Sequence, residues 1–317
     1  MGLLAALPDR SEPQMIPGMD VYLNGRFVDY EQARVVHDDA GLQHAVGLFE
    51  TMAAFHGRVF RLEAHLDRLS ASARELGLTA RLDADKLRRA VLQTLTHNRV
   101  ERARLRLTVT AGRINLLRSD STEPAEPTVF AVASEPTQYD RRYFEQGITV
   151  LVAPPVANPM DPLAGHKTLA YWWRLRLLRQ AASAQAGEVI VLNITNHLAS
   201  GAISNLCLVK DGTLLTPYAR GEEVDGALAA PVLPGITRSV VLSLAEARKI
   251  PVEKRMLTIE DLLGADEVFL TNSGWQILPV TRVEKSLVAG GNVGPVTQQL
   301  RSALLELIER ETGGDDE

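Results

Sequence analysis

Residues 104–110 read Arg-Leu-Arg-Leu-Thr-Val-Thr and alternate without a break. Leu105, Leu107 and Val109 fall on one side, and Arg104, Arg106, Thr108 and Thr110 on the other. Successive side chains of a strand point to opposite faces, so this run is a strand half-buried in a sheet. Its polar side reads as a solvated face. The sheet needs further strands, and the neighbouring sequence has them. Residues 21–28 carry Asn24-Gly25, a strong turn signal between two short strands. Residues 48–55 and 59–60 form a second pair turned at His56-Gly57, and 129–133 is one more strand.

Two helices interrupt these strands. In 63–76 the apolar Leu66, Leu69, Ala73 and Leu76 recur at helical spacing, and Gly77 closes the segment. Residues 83–98 repeat the pattern with Leu87, Val91 and Leu95, and Asp83 is placed to cap the start. The stretch 119–127, rich in Ser, Pro and Glu, reads as a loop. The pattern changes over 136–142, read as a surface linker between a smaller domain, 19–137, and a larger one, 138–317. Residues 1–18 are proline-interrupted and lack the basic-then-apolar order of a secretory signal; they read as a frayed arm.

Beyond the linker, strands are expected at 148–152, 188–192, 206–210, 213–216, 252–256, 267–272 and 277–283. Helices are expected at 169–186, 237–247, 259–263 and 295–311. Strands and helices mix without strict alternation. That favours an α+β or barrel-like sheet over a doubly wound fold.

Composition removes several function classes. Over 317 residues the net charge is −5, so no basic face for nucleic acid is implied. No apolar run reaches the length of a membrane helix. Cys207 is the single cysteine, which excludes an intramolecular disulfide and fits a reducing cytoplasm. The seven histidines are scattered without ligand spacing, so no metal site is expected. Gly290-Gly291-Asn292-Val293-Gly294 lacks the strand-to-helix context of a dinucleotide site and reads as a turn. No Gly-x-Ser-x-Gly elbow of a serine hydrolase is present.

Two segments carry more. Leu233-Pro234-Gly235-Ile236-Thr237-Arg238 leads into a helix, where backbone N–H groups can face an anion; many uncapped helix starts of this form bind nothing. Residues 159–167 present Lys167 just before an aromatic helix. A lysine that attacks a carbonyl belongs at the mouth of a pocket, whereas an isolated lysine at a helix start is ordinarily a surface charge.

The ordered motifs decide between these. Lys167-Thr168-Leu169-Ala170-Tyr171 resembles the Lys-x-x-Asn-Tyr segment of the class IV aminotransferases, the fold type IV pyridoxal phosphate enzymes. That family takes in branched-chain and D-amino acid aminotransferases and aminodeoxychorismate lyases. Ser204-Asn205-Leu206, the run from Asp211 to Pro217, Leu233 to Arg238, Ala265 to Thr271 and Gly294 to Thr297 follow in the family's order. Upstream, Gly47-Leu48-Phe49-Glu50-Thr51 and His65-Leu66-Asp67-Arg68-Leu69 resemble its small domain.

The resemblance implies a two-domain α+β fold, with a smaller N-terminal α/β sandwich and a larger C-terminal pseudo-barrel. It implies pyridoxal 5'-phosphate held by Lys167 through a Schiff base, with Lys167 also carrying the proton. It implies Arg68 on the phosphate, although an arginine there could simply lie on a helix surface. Backbone N–H groups of Ile236 and Thr237 and the Ser273 hydroxyl would join it. Tyr171 would meet the ring oxygen, Asn205 would run beneath the cofactor, and Ser200 would stand at the ring nitrogen. A homodimer is implied by the same likeness.

The chain departs from the family pattern in three places. Ser200 occupies the position of a Glu that pairs with the ring nitrogen. Ala111 replaces the arginine of Thr-Arg-Gly, so the group that holds the substrate carboxylate does not carry over; Arg104, Arg106 and Arg113 are candidates. Residues 43–47 and Ala170 also differ. The expected activity is transfer of an amino group between an amino acid and a 2-oxo acid. A lyase releasing pyruvate and 4-aminobenzoate, and a cofactor-binding protein with altered catalysis, are the alternative readings.

Overall fold

The computed structural model describes residues 18–79, 82–113 and 126–313. The arm expected over 1–18 lies outside the described residues except for Gly18, and so does the loop expected over 119–127 except for its last two positions. The chain divides into two compact units. The N-terminal unit spans residues up to Thr137 and also takes in His166–Ala170 and the C-terminal end from Ile308. The C-terminal unit comprises Gln138–Gly165 and Tyr171–Leu307.

The N-terminal unit is a six-stranded antiparallel sheet with helices on one face. Its elements are β1 (Asp20–Leu23), β2 (Arg26–Asp29), α1 (Ala40–His44), β3 (Gly47–Phe55), β4 (Arg58–Val59), α2 (Leu62–Glu75), α3 (Ala84–Asn98), β5 (Ala103–Thr110) and β6 (Thr128–Ser134), and the strand order is β2-β1-β6-β5-β3-β4. Asn24 and Gly25 both take the positive φ that a tight hairpin needs. The Asp83 side chain accepts from Lys86 N–H and caps α3. Leu48 pairs with Val109, and Met52 with Leu105. These side chains, with Leu107, Ala131 and Ala133, pack against Leu66 and Leu69 of α2 and Leu87, Val91 and Leu95 of α3.

The alternation then sends Phe49, Thr51, Arg106 and Thr108 to the face opposite the helices. That face is not the solvated one expected from sequence. Thr108 and Thr110 are buried, and Arg106 is half-buried with its guanidinium 3.8 Å from the centre of the Phe49 ring. Aromatic area covers the arginine, which a polar-face pattern does not reveal.

The C-terminal unit runs α4 (Arg141–Gln146), β7 (Ile148–Val152), α5 (Trp172–Ser183), β8 (Glu188–Leu192), β9 (Leu198–Gly201), β10 (Asn205–Lys210), β11 (Thr213–Thr216), α6 (Ile236–Ala247), β12 (Val252–Lys254), α7 (Ile259–Leu263), β13 (Glu267–Asn272), β14 (Gln276–Val283), β15 (Ser286–Leu287) and α8 (Pro295–Thr312) as far as Leu307. The strand path is β12-β11-β10-β13-β14-β7-β8-β9, with β15 added on β14. β7 lies parallel to both β8 and β14, and β12 parallel to β11; the other pairs are antiparallel.

This path cannot be flat. β9 and β10 are joined by residues 202–204, which span at most about 14 Å when extended. In a flat sheet they would stand five inter-strand spacings apart, about 24 Å. The sheet therefore curls until its end strand comes back beside β10, which is the pseudo-barrel expected. Ile148, Val150, Ile190, Leu206, Leu270 and Val280 fill one side, and Val189 and Val191 meet Leu177, Leu178 and Ala181 of α5 on the other. Burial on both faces explains the unbroken Val-Ile-Val-Leu run of β8.

Two local expectations are corrected. The helix expected from residue 169 begins at Trp172, because residues 167–169 are held extended against β3. β9 was not expected at all: Leu198, Ala199, Ser200 and Gly201 are all buried, so the strand lacks the alternation that would mark it.

Candidate active site

Main-chain bonds place Lys167 at a sheet edge in the N-terminal unit. Phe49 N–H donates to Lys167 O at 3.0 Å, and Leu169 N–H donates to Gly47 O at 3.0 Å. Leu48 and Thr168 face one another in a β-bridge. Lys167 thus shares a face with Phe49, and its Nζ lies 4.6 Å from the ring centre. The imidazole of His166 fixes the same segment from the other side. Its Nδ1 is 2.9 Å from Ser72 Oγ, and its Nε2 is 3.6 Å from Glu75 Oε2, both on α2.

Glu50 projects from the helix-covered face of β3. Its carboxylate accepts from His65 Nδ1 at 2.8 Å, from Arg68 Nε at 2.9 Å and from Arg68 Nη2 at 2.5 Å. Burial alone would raise its pKa, but the charge of Arg68 and the hydrogen bond from His65 outweigh burial and lower it to about 2. Burial also pushes the His65 imidazole below its ordinary value. Glu50 opposes that shift, and the charges of Arg68 and Lys167 add to it. A neutral His65 therefore donates to an ionised Glu50, and Arg68 is oriented by two bonds from one carboxylate.

In the C-terminal unit, Tyr171 leads into α5 one turn before Arg174. The Arg174 guanidinium lies 4.3 Å from the centre of the Trp173 ring and 5.6 Å from that of Tyr171. Its Nη1 donates to Ala202 O at 2.7 Å and lies 3.5 Å from Gly201 O. Burial lowers its pKa, against the opposing pull of Tyr171 and Glu188. The Ser200 hydroxyl, buried on β9, donates to Gly201 O at 2.8 Å. Glu188, fully buried, accepts from Val189 N (2.9 Å), Ala202 N (3.3 Å), Ile203 N (3.2 Å) and Ser204 Oγ (3.2 Å). A Cβ at Gly201 would sit 2.0 Å from Ser204 Oγ, so only glycine lets Ser204 reach Glu188.

The start of α6 is tied to the same segment. Asn205 Nδ2 donates to Leu233 O at 2.8 Å, and its Oδ1 lies where a Cβ on Gly235 would be. Gly235 caps α6 without a side-chain hydrogen bond, so the first N–H groups, those of Ile236 and Thr237, have no capping side chain. Arg238 anchors this turn. It is buried and donates to Thr216 Oγ1, Pro217 O and both oxygens of Glu222 at 2.8–3.0 Å. Against burial, the hydrogen bonds from Arg238 and Lys254 lower the Glu222 pKa to about 2. Across the sheet, Thr271 pairs with Asn205, and its buried hydroxyl has no hydrogen-bond partner. Ser273 follows two residues later.

Residues 47–283 match the family model for amino-transferase class IV. The chain belongs to that family. It is 33% identical over 290 residues to a Methanocaldococcus jannaschii protein provisionally named branched-chain-amino-acid aminotransferase, covering 91% of this chain and 96% of that one. Its fold is similar to that of branched-chain amino acid aminotransferase from Escherichia coli, with a TM-score of 0.83, 28% identity, and 94% and 97% of the two chains covered. It is also similar to 4-amino-4-deoxychorismate lyase from Pseudomonas aeruginosa, with a TM-score of 0.77, 28% identity, and 90% and 98% covered.

This class IV enzyme is an aminotransferase: it moves an amino group between an amino acid and a 2-oxo acid. The structure gathers Lys167 and Arg68 in one unit. In the other it gathers Asn205, Gly235, Ile236 and Thr237 around the start of α6, and joins Ser200 to Tyr171 through Arg174. Arg113, a candidate for the substrate carboxylate, is exposed and pairs with Asp38 at 3.0 Å. Sequence reasoning missed Glu188 and Arg174. A Glu heading an all-apolar strand was a usable signal for the first. Arg174 shares its helix with Arg176 and Arg179, and nothing in spacing sets it apart.

Proposed function

We propose that Lys167 is the residue through which this aminotransferase holds pyridoxal 5'-phosphate. The observation that carries the proposal is the double fixing of one lysine. Its backbone is bonded into β3, the neighbouring imidazole is locked on α2, and its Nζ is set against Phe49. Surface lysines are not held this way. The donor set also fits the group. An uncapped helix start, a glycine there that leaves room for the Asn205 amide, and the unpartnered Thr271 hydroxyl together suit a phosphate.

When bound, the cofactor supplies an aldehyde that accepts the amino group and a ring that draws electrons from the substrate's α-carbon. The chain's residues do the rest. Once the incoming amine has displaced it from the cofactor, Lys167 Nζ would be free to take the α-proton and to return it to the carbon two bonds away, on the cofactor side of the transferred nitrogen. Arg68, held rigid by Glu50, and the N–H groups of Ile236 and Thr237 would hold the phosphate, with the Ser273 hydroxyl beside them. Tyr171 would donate to the ring oxygen, Asn205 would support the ring from below, and Ser200 would meet its nitrogen. The donors to test first are branched-chain amino acids, the substrates named for the similar enzymes, offered with a 2-oxo acid acceptor.

A homodimer is part of the proposal; exposed Met160, Leu163, Trp172 and Leu175 support it. A cytoplasmic setting is supported by the lone, buried Cys207. Among the described residues no helix is long and apolar enough to cross a membrane.

The test is the near-ultraviolet and visible absorbance of purified protein with added cofactor, repeated on Lys167→Ala and with a panel of amino acids of both hands. A band lost in Lys167→Ala and bleached by a donor is expected. Absence of the band in the unaltered protein would sink the proposal. Ser200 and the similarity to the lyase keep a second chemistry in view: pyruvate release without a 2-oxo acid acceptor marks it. A retained band with neither activity marks altered catalysis.

A further inference from the structure

The segment from Ser200 to Asn205 is gripped by two opposite charges, a buried Glu188 and a half-buried Arg174. Glu188 takes the amide N–H groups of Ala202 and Ile203 and the Ser204 hydroxyl. Arg174 takes the carbonyl oxygens of Ala202 and Gly201. Ala202 is held at both ends of its peptide by the two charges. The two charges offset one another, and neither stands at position 200, where the side chain is a neutral hydroxyl.

The Gly201 carbonyl is shared. It accepts from the Ser200 hydroxyl at 2.8 Å and lies 3.5 Å from Arg174 Nη1. A serine hydroxyl has one proton to give. If Ser200 turns that proton elsewhere, the carbonyl still has a charged donor beside it, so it is not left as a buried orphan. Arg174 thereby makes the turn inexpensive.

Resting on the cofactor assignment proposed above, we infer that Ser200 donates its hydroxyl proton to the cofactor's ring nitrogen and that this nitrogen is unprotonated, with Arg174 holding the Gly201 carbonyl in the serine's place. Arg174 is then a positioning residue, and Ser200 is a cofactor contact that carries no charge. The ring draws electrons less strongly than a protonated one, so more of the α-carbon chemistry falls to Lys167.

The measurement is 15N magnetic resonance on the holoenzyme reconstituted with pyridoxal 5'-phosphate labelled at its ring nitrogen. The expected signal lies in the range of an unprotonated, hydrogen-bonded pyridine. Ser200→Asp places a carboxylate there and moves the signal upfield to the pyridinium range, while Ser200→Ala leaves it unprotonated without the hydrogen bond. Arg174→Lys, which keeps the charge but not the two-carbonyl reach, shifts it partway. A pyridinium signal in the unaltered enzyme overturns the inference. An Arg174→Lys signal identical to the unaltered one overturns the role of Arg174. If the lysine-bound absorbance band forms normally and only the nitrogen signal disagrees, the inference fails and the cofactor assignment stands; if no band forms, both fall.

Discussion

Arg68 reaches Glu50 through both Nε and Nη2, at 2.9 Å and 2.5 Å, and the carboxylate they share is almost wholly buried. An arginine proposed to hold a phosphate is therefore aimed before anything binds, which reduces what must be ordered on binding. Glu50→Gln removes the charge and leaves Arg68 facing an amide. The expected cost is about 3 kcal/mol, the usual size for breaking a buried pair from one side.

The pH dependence of stability follows from the same pair. Glu50 has a folded pKa of about 2 against an ordinary 4.5, so between those values the unfolded chain binds more protons. Its stabilisation is complete above 4.5 and is lost as pH falls toward 2. His65, also lowered, contributes in the same direction starting below its ordinary 6.5, because the unfolded imidazole charges first. Urea unfolding measured at a series of acidic pH values should give a steeper fall for the unaltered protein than for Glu50→Gln. Parallel curves would mean that Glu50 is not the group responsible.

Gly201 offers a test of packing by double-mutant cycle. Gly201→Ala puts a methyl group onto Ser204 Oγ and close to Glu188, so about 1–3 kcal/mol of destabilisation is expected. Ser204→Ala removes the obstructing oxygen at the cost of one bond to Glu188. The double variant should lose less than the sum of the singles, since the clash is gone. Strict additivity in denaturant titrations would show that the serine is not what excludes a side chain at 201.

How much of this was legible beforehand follows element by element. Asn24-Gly25 and Asp211-Gly212 announce their hairpins because a turn with positive φ admits few residues, and both pairs take it. Leu66, Leu69 and Ala73 announce α2 because one face is dry and the other wet. β9 is silent because both of its faces are buried and periodicity vanishes. The start of α5 was misplaced because hydrogen bonds to Gly47 and Phe49, more than a hundred residues away, override the local helical pattern. Lys167 and Arg68 could be named from ordered motifs. Arg174 could not, and Glu188 showed only as an acid heading an apolar strand, since the role of both depends on charges that meet only when α5, β8 and the 201–204 turn come together.

Arg238 holds the first turn of α6 onto Thr216, Pro217 and Glu222 while almost wholly buried. Arg238→Met keeps much of the volume and removes every one of these bonds. It leaves Glu222 with Lys254 and the Ala219 N–H. The expected outcome is a loss of about 3 kcal/mol in stability together with weaker retention of added pyridoxal phosphate on dialysis, since the amides of Ile236 and Thr237 lose their support. Unchanged cofactor retention in a destabilised variant would separate the anchor from the site.

His166 poses a sharper question, because it lies next to Lys167 in sequence and touches α2 rather than any reacting group. Its ring is buried, with Nδ1 on Ser72 and Nε2 near Glu75. The backbone bonds to Gly47 and Phe49 remain when the imidazole is removed, so the segment stays at the sheet edge. What is lost is resistance to sliding and twisting, and a misplacement of about 1 Å at a reacting nitrogen costs on the order of a hundredfold in rate. His166→Ala should therefore fold with about 1–3 kcal/mol less stability and bind cofactor. It should also lower kcat by ten- to a hundredfold with a smaller change in KM. His166→Gln, whose amide can reach Ser72, should recover part of the rate. Equal kcat in the unaltered enzyme and His166→Ala would mean that the backbone bonds alone position Lys167.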